Sequence, residues 1–196
     1  MILPGLTAPL RTIYCIGRNY AEHARELGNE IPSEPVVFLK PASSIMLSGG
    51  VLKLPARSKR VDHEVELVVA AGPKRLFAVG IDFTARDIQL AAKEKGLPWT
   101  MAKGFPGFAA VGPFIETALP LDFSLSVNGE TRQKGTTKDM LVPVDKLMDY
   151  LGETFGFGDG DIVFTGTPAG VSPLKGGDRI AAELAGGISR LELTVQ

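Results

Sequence analysis

Short apolar runs broken by turn residues dominate the chain. Thr12-Ile13-Tyr14-Cys15-Ile16 and Val36-Val37-Phe38-Leu39 read as strands, and so do Ile45-Met46-Leu47 and Val51-Leu52-Lys53-Leu54 on either side of Gly49-Gly50. Val61 to Ala71 has strand character throughout. Ala78-Val79-Gly80-Ile81 is a further strand that ends at Asp82. Phe123 to Asn128 and the run from Arg132 onward form a hairpin around Asn128-Gly129, a pair suited to a tight turn with positive φ. Asp161 to Thr165 is an apolar strand leading into Gly166-Thr167-Pro168-Ala169-Gly170, and residues 178–184 and 188–195 supply closing strands.

Helical periodicity is rarer. Residues 20–27 read as a short helix with Gly28 beyond its end. Thr84 to Lys95 reads as a helix with Thr84 as N-cap, Asp87 at N3 and Gly96 past the end. Val144 to Gly152 is amphipathic, with Asp145 near its start. The strands do not alternate strictly with helices, which favours an α+β fold, a strand-rich mixed β-sheet with a few short helices, over a doubly wound one. There is no Gly-rich dinucleotide fingerprint and no P-loop.

Composition narrows this further. A chain of 196 residues, 44% hydrophobic and 22% charged, fits one domain, 1–196, with a sizeable core. A formal net charge of −1 gives no electrostatic reason to expect nucleic acid or an anionic membrane as partner. Cys15 is the only cysteine, so no intrachain disulfide forms; its apolar strand marks it as a packed core thiol rather than a nucleophile. No run of about 18 apolar residues exists, so no membrane span is expected. A basic start followed by an apolar stretch is also missing, so no signal peptide is expected and the cytoplasm is the default location.

Candidate chemistry starts at His63-Glu64-Val65-Glu66-Leu67. On a strand, residues i and i+2 share a face, so Glu64 and Glu66 would stand side by side while Val65 and Leu67 face the core. Two adjacent carboxylates on an apolar strand repel each other, and a hard divalent cation offsets that cost. The alternative is an edge strand with two solvated glutamates. Asp82, closing the next apolar strand, can reach the same place. Three oxygen ligands suit Mg²⁺ or Mn²⁺ rather than zinc and leave positions open for water or substrate.

Several ordered motifs share a pattern. They are Gly17-Arg18-Asn19-Tyr20 with His23; Glu34-Pro35-Val36-Val37-Phe38-Leu39-Lys40-Pro41; His63-Glu64-Val65-Glu66-Leu67; and Asp82-Phe83-Thr84-Ala85-Arg86-Asp87. Gly96-Leu97-Pro98-Trp99, Lys103, Val127-Asn128-Gly129-Glu130 with Gln133, and Gly160-Asp161 through Gly170-Val171 follow. With them the chain resembles the fumarylacetoacetate hydrolase family, in its single-domain acylpyruvase and oxaloacetate decarboxylase branch. The resemblance implies a mixed β-roll around a metal site, usually as a homodimer. It implies Mg²⁺ or Mn²⁺ on Glu64, Glu66 and Asp82, and roles for His23, Glu26, Lys103, Gln89 and Thr167. Two stretches depart from the family pattern. Ala71 to Gly80 is shorter than usual, so Asp82 must be reached through a tighter loop. After Lys103 the run Gly104-Phe105-Pro106-Gly107-Phe108 replaces more polar residues.

The expected substrate is a small 2-oxo acid. Its carboxylate and adjacent carbonyl can both ligate one metal ion, and charge develops on the 2-oxo oxygen when the C3–C4 bond breaks. The leading expectation is hydrolysis of an acylpyruvate to pyruvate and a carboxylate; oxaloacetate decarboxylation or keto–enol tautomerisation would use the same site. His23 would activate water, and Glu26, spaced i, i+3 on the same helix, would orient it. Lys103 would stabilise the oxyanion, Gln89 and Thr167 would position substrate oxygens, and Arg86 would assist. The plainer readings are a polar helix face for His23 and Glu26, a turn residue for Thr167 and a loop lysine for Lys103. His63 should point away from the ligands and support the fold. Phe105, Phe108 and Trp99 suggest an apolar pocket wall.

Overall fold

A computed structural model describes residues 1–26 and 33–196, apart from the side chains of Ala24 and Glu26. The expectations for the Glu26 carboxylate and for Gly28 lie outside the described residues. An eight-stranded mixed sheet forms the frame of the molecule, in the order Val36–Lys40, Ile13–Gly17, Ile162–Phe164, Val65–Ala70, Leu76–Asp82, Ala109–Val111, Ile45–Leu47, with Ile115–Glu116 also paired to Leu76–Asp82. Ile13–Gly17 runs parallel to Ile162–Phe164, and Ile45–Leu47 parallel to Ala109–Val111; the other pairs in this sheet are antiparallel.

The central strands are apolar on both faces because both faces are covered. Val65, Leu67, Val69, Val79 and Ile81 pack into one core with Leu125, Leu184 and Leu191 of a second sheet and Leu147 and Leu151 of the helix Val144–Phe155. Val68, Ala70 and Ala78 pack into the other core with Ile13, Cys15 and Phe164. Each fully buried Leu or Phe contributes about 1.5–3 kcal/mol, so this two-sided burial anchors the strands that carry the acidic residues. Cys15 is fully buried, as its strand implied.

The second sheet runs Glu130–Thr136, Asp122–Val127, Arg179–Leu184, Ser189–Val195, Val51–Leu52. Its first hairpin turns at Asn128 (φ 54°) and Gly129 (φ 84°), the positive-φ pair that the sequence marks. A third, small sheet joins Ser172–Pro173, Val61–His63 and Thr84–Ala85. The shortened stretch after Ala70 is a tight hairpin, with Ala70 paired directly to Leu76.

Three expectations need correction. The run Val61 to Ala71 is two strands, not one. Val61–His63 pairs with Thr84–Ala85 and Ser172–Pro173, whereas Val65–Ala70 belongs to the large sheet, and Glu64 sits at the break. Thr84 does not cap a helix: it pairs with Asp62 in the small sheet, and the helix Arg86–Glu94 begins without a side-chain cap. Asp87 instead accepts hydrogen bonds from Ser58 Oγ (2.6 Å) and Lys59 N–H (2.8 Å). The helix expected to stop at Gly152 continues to Phe155 and ends at Gly156, which takes the left-handed conformation.

Candidate metal centre

Glu64 leaves the small sheet where the chain enters the large one, and its carbonyl accepts the Asp82 N–H at 2.8 Å. That bond ties the first and third acidic residues together through the backbone. Glu66 follows on Val65–Ala70, opposite Gly80. Ligand oxygens of Glu64, Glu66 and Asp82 lie within 4.8 Å of one another, and all three residues are buried. Burial excludes the solvated edge-strand alternative. A bend between two sheets, rather than the pleat of one strand, brings Glu64 to the triad.

Three cations neutralise part of this charge. Lys103 donates to Glu64 Oε2 (2.8 Å) and Asp82 Oδ2 (2.6 Å). Arg86 donates to Glu64 Oε1 through one guanidinium nitrogen, to Asp62 Oδ2 (2.8 Å) through Nε, and to Gln89 Oε1 (2.6 Å) through the other. Lys40 Nζ lies 2.6 Å from Asp82 Oδ1, but its hydrogen bonds go to three backbone carbonyls: Phe83 (3.1 Å), Lys103 (2.6 Å) and Phe108 (2.8 Å). Asp82 Oδ1 is buried, with the Lys40 ammonium as its near neighbour.

The ionisation of the triad is uneven. Burial opposes the charge on Glu64, but Lys103 and Arg86 outweigh it and hold the carboxyl well below the usual range. Burial, followed by the charges of Asp82 and Glu64, pushes the Glu66 carboxyl well above it. Among the described residues Glu66 makes no ion pair; its Oε2 accepts only the Gly166 N–H, at 2.6 Å. Burial would lower Lys103, yet Asp82 and Glu64 raise it, so it stays charged.

This donor set fits Mg²⁺ or Mn²⁺. It is all oxygen, compact and buried, with one carboxylate, Glu66, lacking a counter-charge among the described residues. Glu64, Glu66 and Asp82 would hold the ion, and an uncompensated buried carboxylate is what such an ion offsets.

The remaining candidates gather around the triad. His23 is 6% exposed and lines the same pocket, where its charge would act on Glu64. Gln89 and Thr167 line it too. Thr167 Oγ1 donates to the Val65 carbonyl (2.8 Å) and accepts from Gln133 Nε2 (2.9 Å). Gln133 also donates to the Pro168 carbonyl (3.0 Å), and its Oε1 accepts from Val65 N–H (3.0 Å) and His63 Nδ1 (2.8 Å). His63 Nε2 then accepts from Ser172 Oγ (2.8 Å), which assigns the neutral Nδ1–H tautomer from the network. Burial lowers the His63 pKa, in keeping with that neutral form. His63 points away from the triad and braces the segment that presents Thr167.

The apolar wall differs from expectation. Trp99 lines the pocket with Phe38, not with Phe105 or Phe108. Phe108 is fully buried and packs on Phe83 behind Lys40. Residues without an assigned part in the sequence reading also emerge. Asp62 anchors Arg86, Lys40 knits three carbonyls, and Arg18 and Lys93 line the pocket. For Asp62 a signal existed, since it shares the i, i+2 spacing of Glu64 and Glu66.

The strand-rich mixed sheets and the buried acidic triad define the class of fold. The match to one family is direct: residues 12–196 fit the description "Fumarylacetoacetate (FAA) hydrolase C-terminal". The chain belongs to the fumarylacetoacetate hydrolase family. It is 42% identical to a mitochondrial oxaloacetate tautomerase of Arabidopsis thaliana, over 94% of this chain and 90% of that one. It is 40% identical to a mitochondrial oxaloacetate decarboxylase of Dictyostelium discoideum, over 90% and 89%. The crystal structure of fumarylpyruvate hydrolase from Pseudomonas aeruginosa, in complex with Mn²⁺ and pyruvate, superposes with a TM-score of 0.89 at 34% identity, covering 99% of this chain and 94% of that one. No described helix is long and apolar enough to cross a membrane.

Proposed function

We propose that the chain is a Mg²⁺- or Mn²⁺-dependent hydrolase that cleaves a C–C bond in a small 2,4-dioxo acid, giving pyruvate and a carboxylate. The observation that carries this reading is the convergence of Glu64, Glu66 and Asp82 within 4.8 Å, with His23 on the same pocket. The Pseudomonas fumarylpyruvate hydrolase, solved with Mn²⁺ and pyruvate, supports both the ion and the product. When bound, the ion acts as a Lewis acid on the 2-oxo group and takes up the negative charge that develops there.

The chain's own residues do the rest. His23 takes a proton from the water that attacks the C4 carbonyl. Lys103 neutralises the oxyanion in this reading, which its charged state between Glu64 and Asp82 supports. Arg86 fixes Glu64 and Gln89 together, so its contribution is to orient a ligand and a substrate-binding amide. Thr167 commits its only side-chain proton to the Val65 carbonyl, so its part is to shape the pocket wall beside the substrate rather than to donate to it.

A second reading has equal support from the relatives. The Arabidopsis and Dictyostelium proteins are named for oxaloacetate tautomerisation and decarboxylation. Both reactions stabilise the same charge on a 2-oxo oxygen and require no attacking water.

The test is turnover of acetylpyruvate, fumarylpyruvate and oxaloacetate side by side, with Mg²⁺, Mn²⁺ or EDTA. Release of acetate or fumarate that EDTA abolishes and His23→Ala removes supports the hydrolase. Loss of enol-oxaloacetate absorbance or release of CO₂, without cleavage of either acylpyruvate, assigns the second reading. Activity unchanged by EDTA and by Asp82→Asn would sink both.

A further inference from the structure

Val65 stands between two of the three acidic residues, and its backbone groups face a break in the large sheet. Ile162–Phe164 pairs with Val65–Ala70 only as far as Phe164 opposite Val68. The ladder makes one more step, in which the Thr165 N–H donates to the Leu67 carbonyl at 3.0 Å. In an antiparallel ladder the next bonded pair would be Thr167 with Val65. The chain instead turns away at Gly166 (φ 101°), and the Gly166 N–H goes to Glu66 Oε2 at 2.6 Å. That turn gives Glu66 its donor and deprives Val65 of a partner strand.

Side chains make the two bonds that the strand leaves open. The Val65 N–H donates to Gln133 Oε1 (3.0 Å), and the Val65 carbonyl accepts from Thr167 Oγ1 (2.8 Å). Gln133 Nε2 donates to Thr167 Oγ1 (2.9 Å), which closes a ring of hydrogen bonds around the residue that separates Glu64 from Glu66. A backbone N–H can only donate, so the amide oxygen of Gln133 must face Val65. Its nitrogen is thereby turned to Thr167 and to the Pro168 carbonyl (3.0 Å). With His63 Nδ1–H also on Oε1 (2.8 Å), all four hydrogen-bonding positions of the carboxamide are filled.

The strand Glu130–Thr136 is shaped to aim this side chain. Gln133 pairs with Leu125 and Thr131 with Ser126, so one extra residue, Arg132, forms a β-bulge between them. Without the bulge Thr131 and Gln133 would share a face. With it, Gln133 joins Leu125 on the buried side while Thr131 stays exposed. The loop after Gly166 is fitted closely to the bulge: a Cβ on Gly170 (φ 97°) would lie 2.3 Å from the Arg132 carbonyl oxygen.

We propose that Gln133 is a positioning residue for the metal ligands: its carboxamide stands in for the missing strand at Val65, so that Glu64 and Glu66 keep a fixed separation while the Gly166 N–H stays on Glu66. The proposal rests on the reading of the triad as a Mg²⁺ or Mn²⁺ site. Gln133 does not line the pocket and acts through Val65 and Thr167.

The experiment measures Mn²⁺ dissociation constants from the electron paramagnetic resonance signal of the free aqueous ion, well below the melting temperature of each protein. Gln133→Met removes the carboxamide at similar length, and Gln133→Asn keeps it one methylene short. Thr167→Val opens the same ring at the Val65 carbonyl without altering Gln133, and circular dichroism identifies any variant that fails to fold. Leu147→Ala, in the core and outside the pocket lining, is the destabilised control. The expected result is a loss of Mn²⁺ affinity of about 10–100-fold in the ring variants, as for other partners that orient metal ligands, with parental affinity in Leu147→Ala. Affinity within about twofold of the parent in a folded Gln133 or Thr167 variant, or an equal loss in Leu147→Ala, overturns the proposal and leaves the ring a contribution to stability alone. A parent that binds no Mn²⁺, or whose affinity Glu66→Gln does not change, overturns it together with the reading of the triad.

Discussion

Replacing Lys40 by Met keeps the aliphatic stem and deletes the ammonium from a fully buried position. Three carbonyls lose a donor. The Phe108 carbonyl keeps the Phe83 N–H at 3.0 Å, so the carbonyls of Phe83 and Lys103 are the two left unsatisfied. Each costs about 1–3 kcal/mol when buried. Asp82 also loses a positive charge 2.6 Å from Oδ1. Breaking one side of a buried ion pair costs about 3–5 kcal/mol, which overlaps with the first estimate rather than adding to it. A loss of about 3–5 kcal/mol is therefore expected, a large part of the roughly 5–15 kcal/mol available to a domain. For a chain of this length each kcal/mol lowers Tm by about 2–4 °C, so the midpoint should fall by about 6–20 °C. Urea unfolding followed by far-ultraviolet circular dichroism measures the difference, with EDTA present so that metal binding does not contribute. A variant within about 0.5 kcal/mol of the parent, at unchanged m-value, would refute the reasoning, because the buried carbonyls would then have found other partners.

Glu66→Gln should abolish the rise in Tm that Mn²⁺ produces in the parent, while the EDTA-treated variant melts no lower than the EDTA-treated parent, because Gln keeps the shape of a buried carboxyl whose charged form burial and its acidic neighbours already disfavour; differential scanning calorimetry checks both. Gly166→Ala should lose about 2 kcal/mol or more, since Gly166 has φ 101° and a Cβ would stand 2.8 Å from Asn19 Cβ; a urea midpoint unchanged from the parent would contradict this. Although burial opposes it, the hydrogen bonds from Lys59 and Ser58 hold the Asp87 pKa below its ordinary value. Its stabilising contribution is therefore fully present above about pH 4 and is lost as pH falls through the lower folded-state value. The penalty of Asp87→Asn should then be measurable at pH 6 and shrink toward pH 3 in chemical unfolding; a penalty that grew on acidification would have the wrong sign.

The parts of the site carried by local pattern were legible in the sequence. Glu64, Glu66 and Asp82 stand out because carboxylates interrupt apolar strands, and Asn128-Gly129 announces its hairpin because few residue pairs accept two positive φ angles. What could not be read depends on distant partners. The apolar pattern runs unbroken from Val61 to Ala71, and only pairing with Thr84 and Ser172 draws Val61–His63 into a different sheet. Thr84 has the local chemistry of a cap, but its pairing with Asp62 overrides that preference. Lys40 looks like an ordinary charge at a strand end; its burial comes from three carbonyls that converge only once Phe83, Lys103 and Phe108 are in place. The aromatic wall was misplaced for a related reason. Phe108 and Phe38 are equally apolar in sequence, and the fold alone decides which one faces the pocket.

Trp99, the only tryptophan in the chain, stands in the pocket wall between Phe38, at 5.4 Å between ring centres, and the Lys93 ammonium. The protein thus carries a built-in optical reporter in the wall of the candidate pocket. Indole emission responds to nearby charge and to water, so a bound anion that draws Lys93 off the ring would alter the signal. Metal loading, ligand affinity and exchange rates can all be followed in the unlabelled protein by stopped-flow fluorescence, with no competing tryptophan signal.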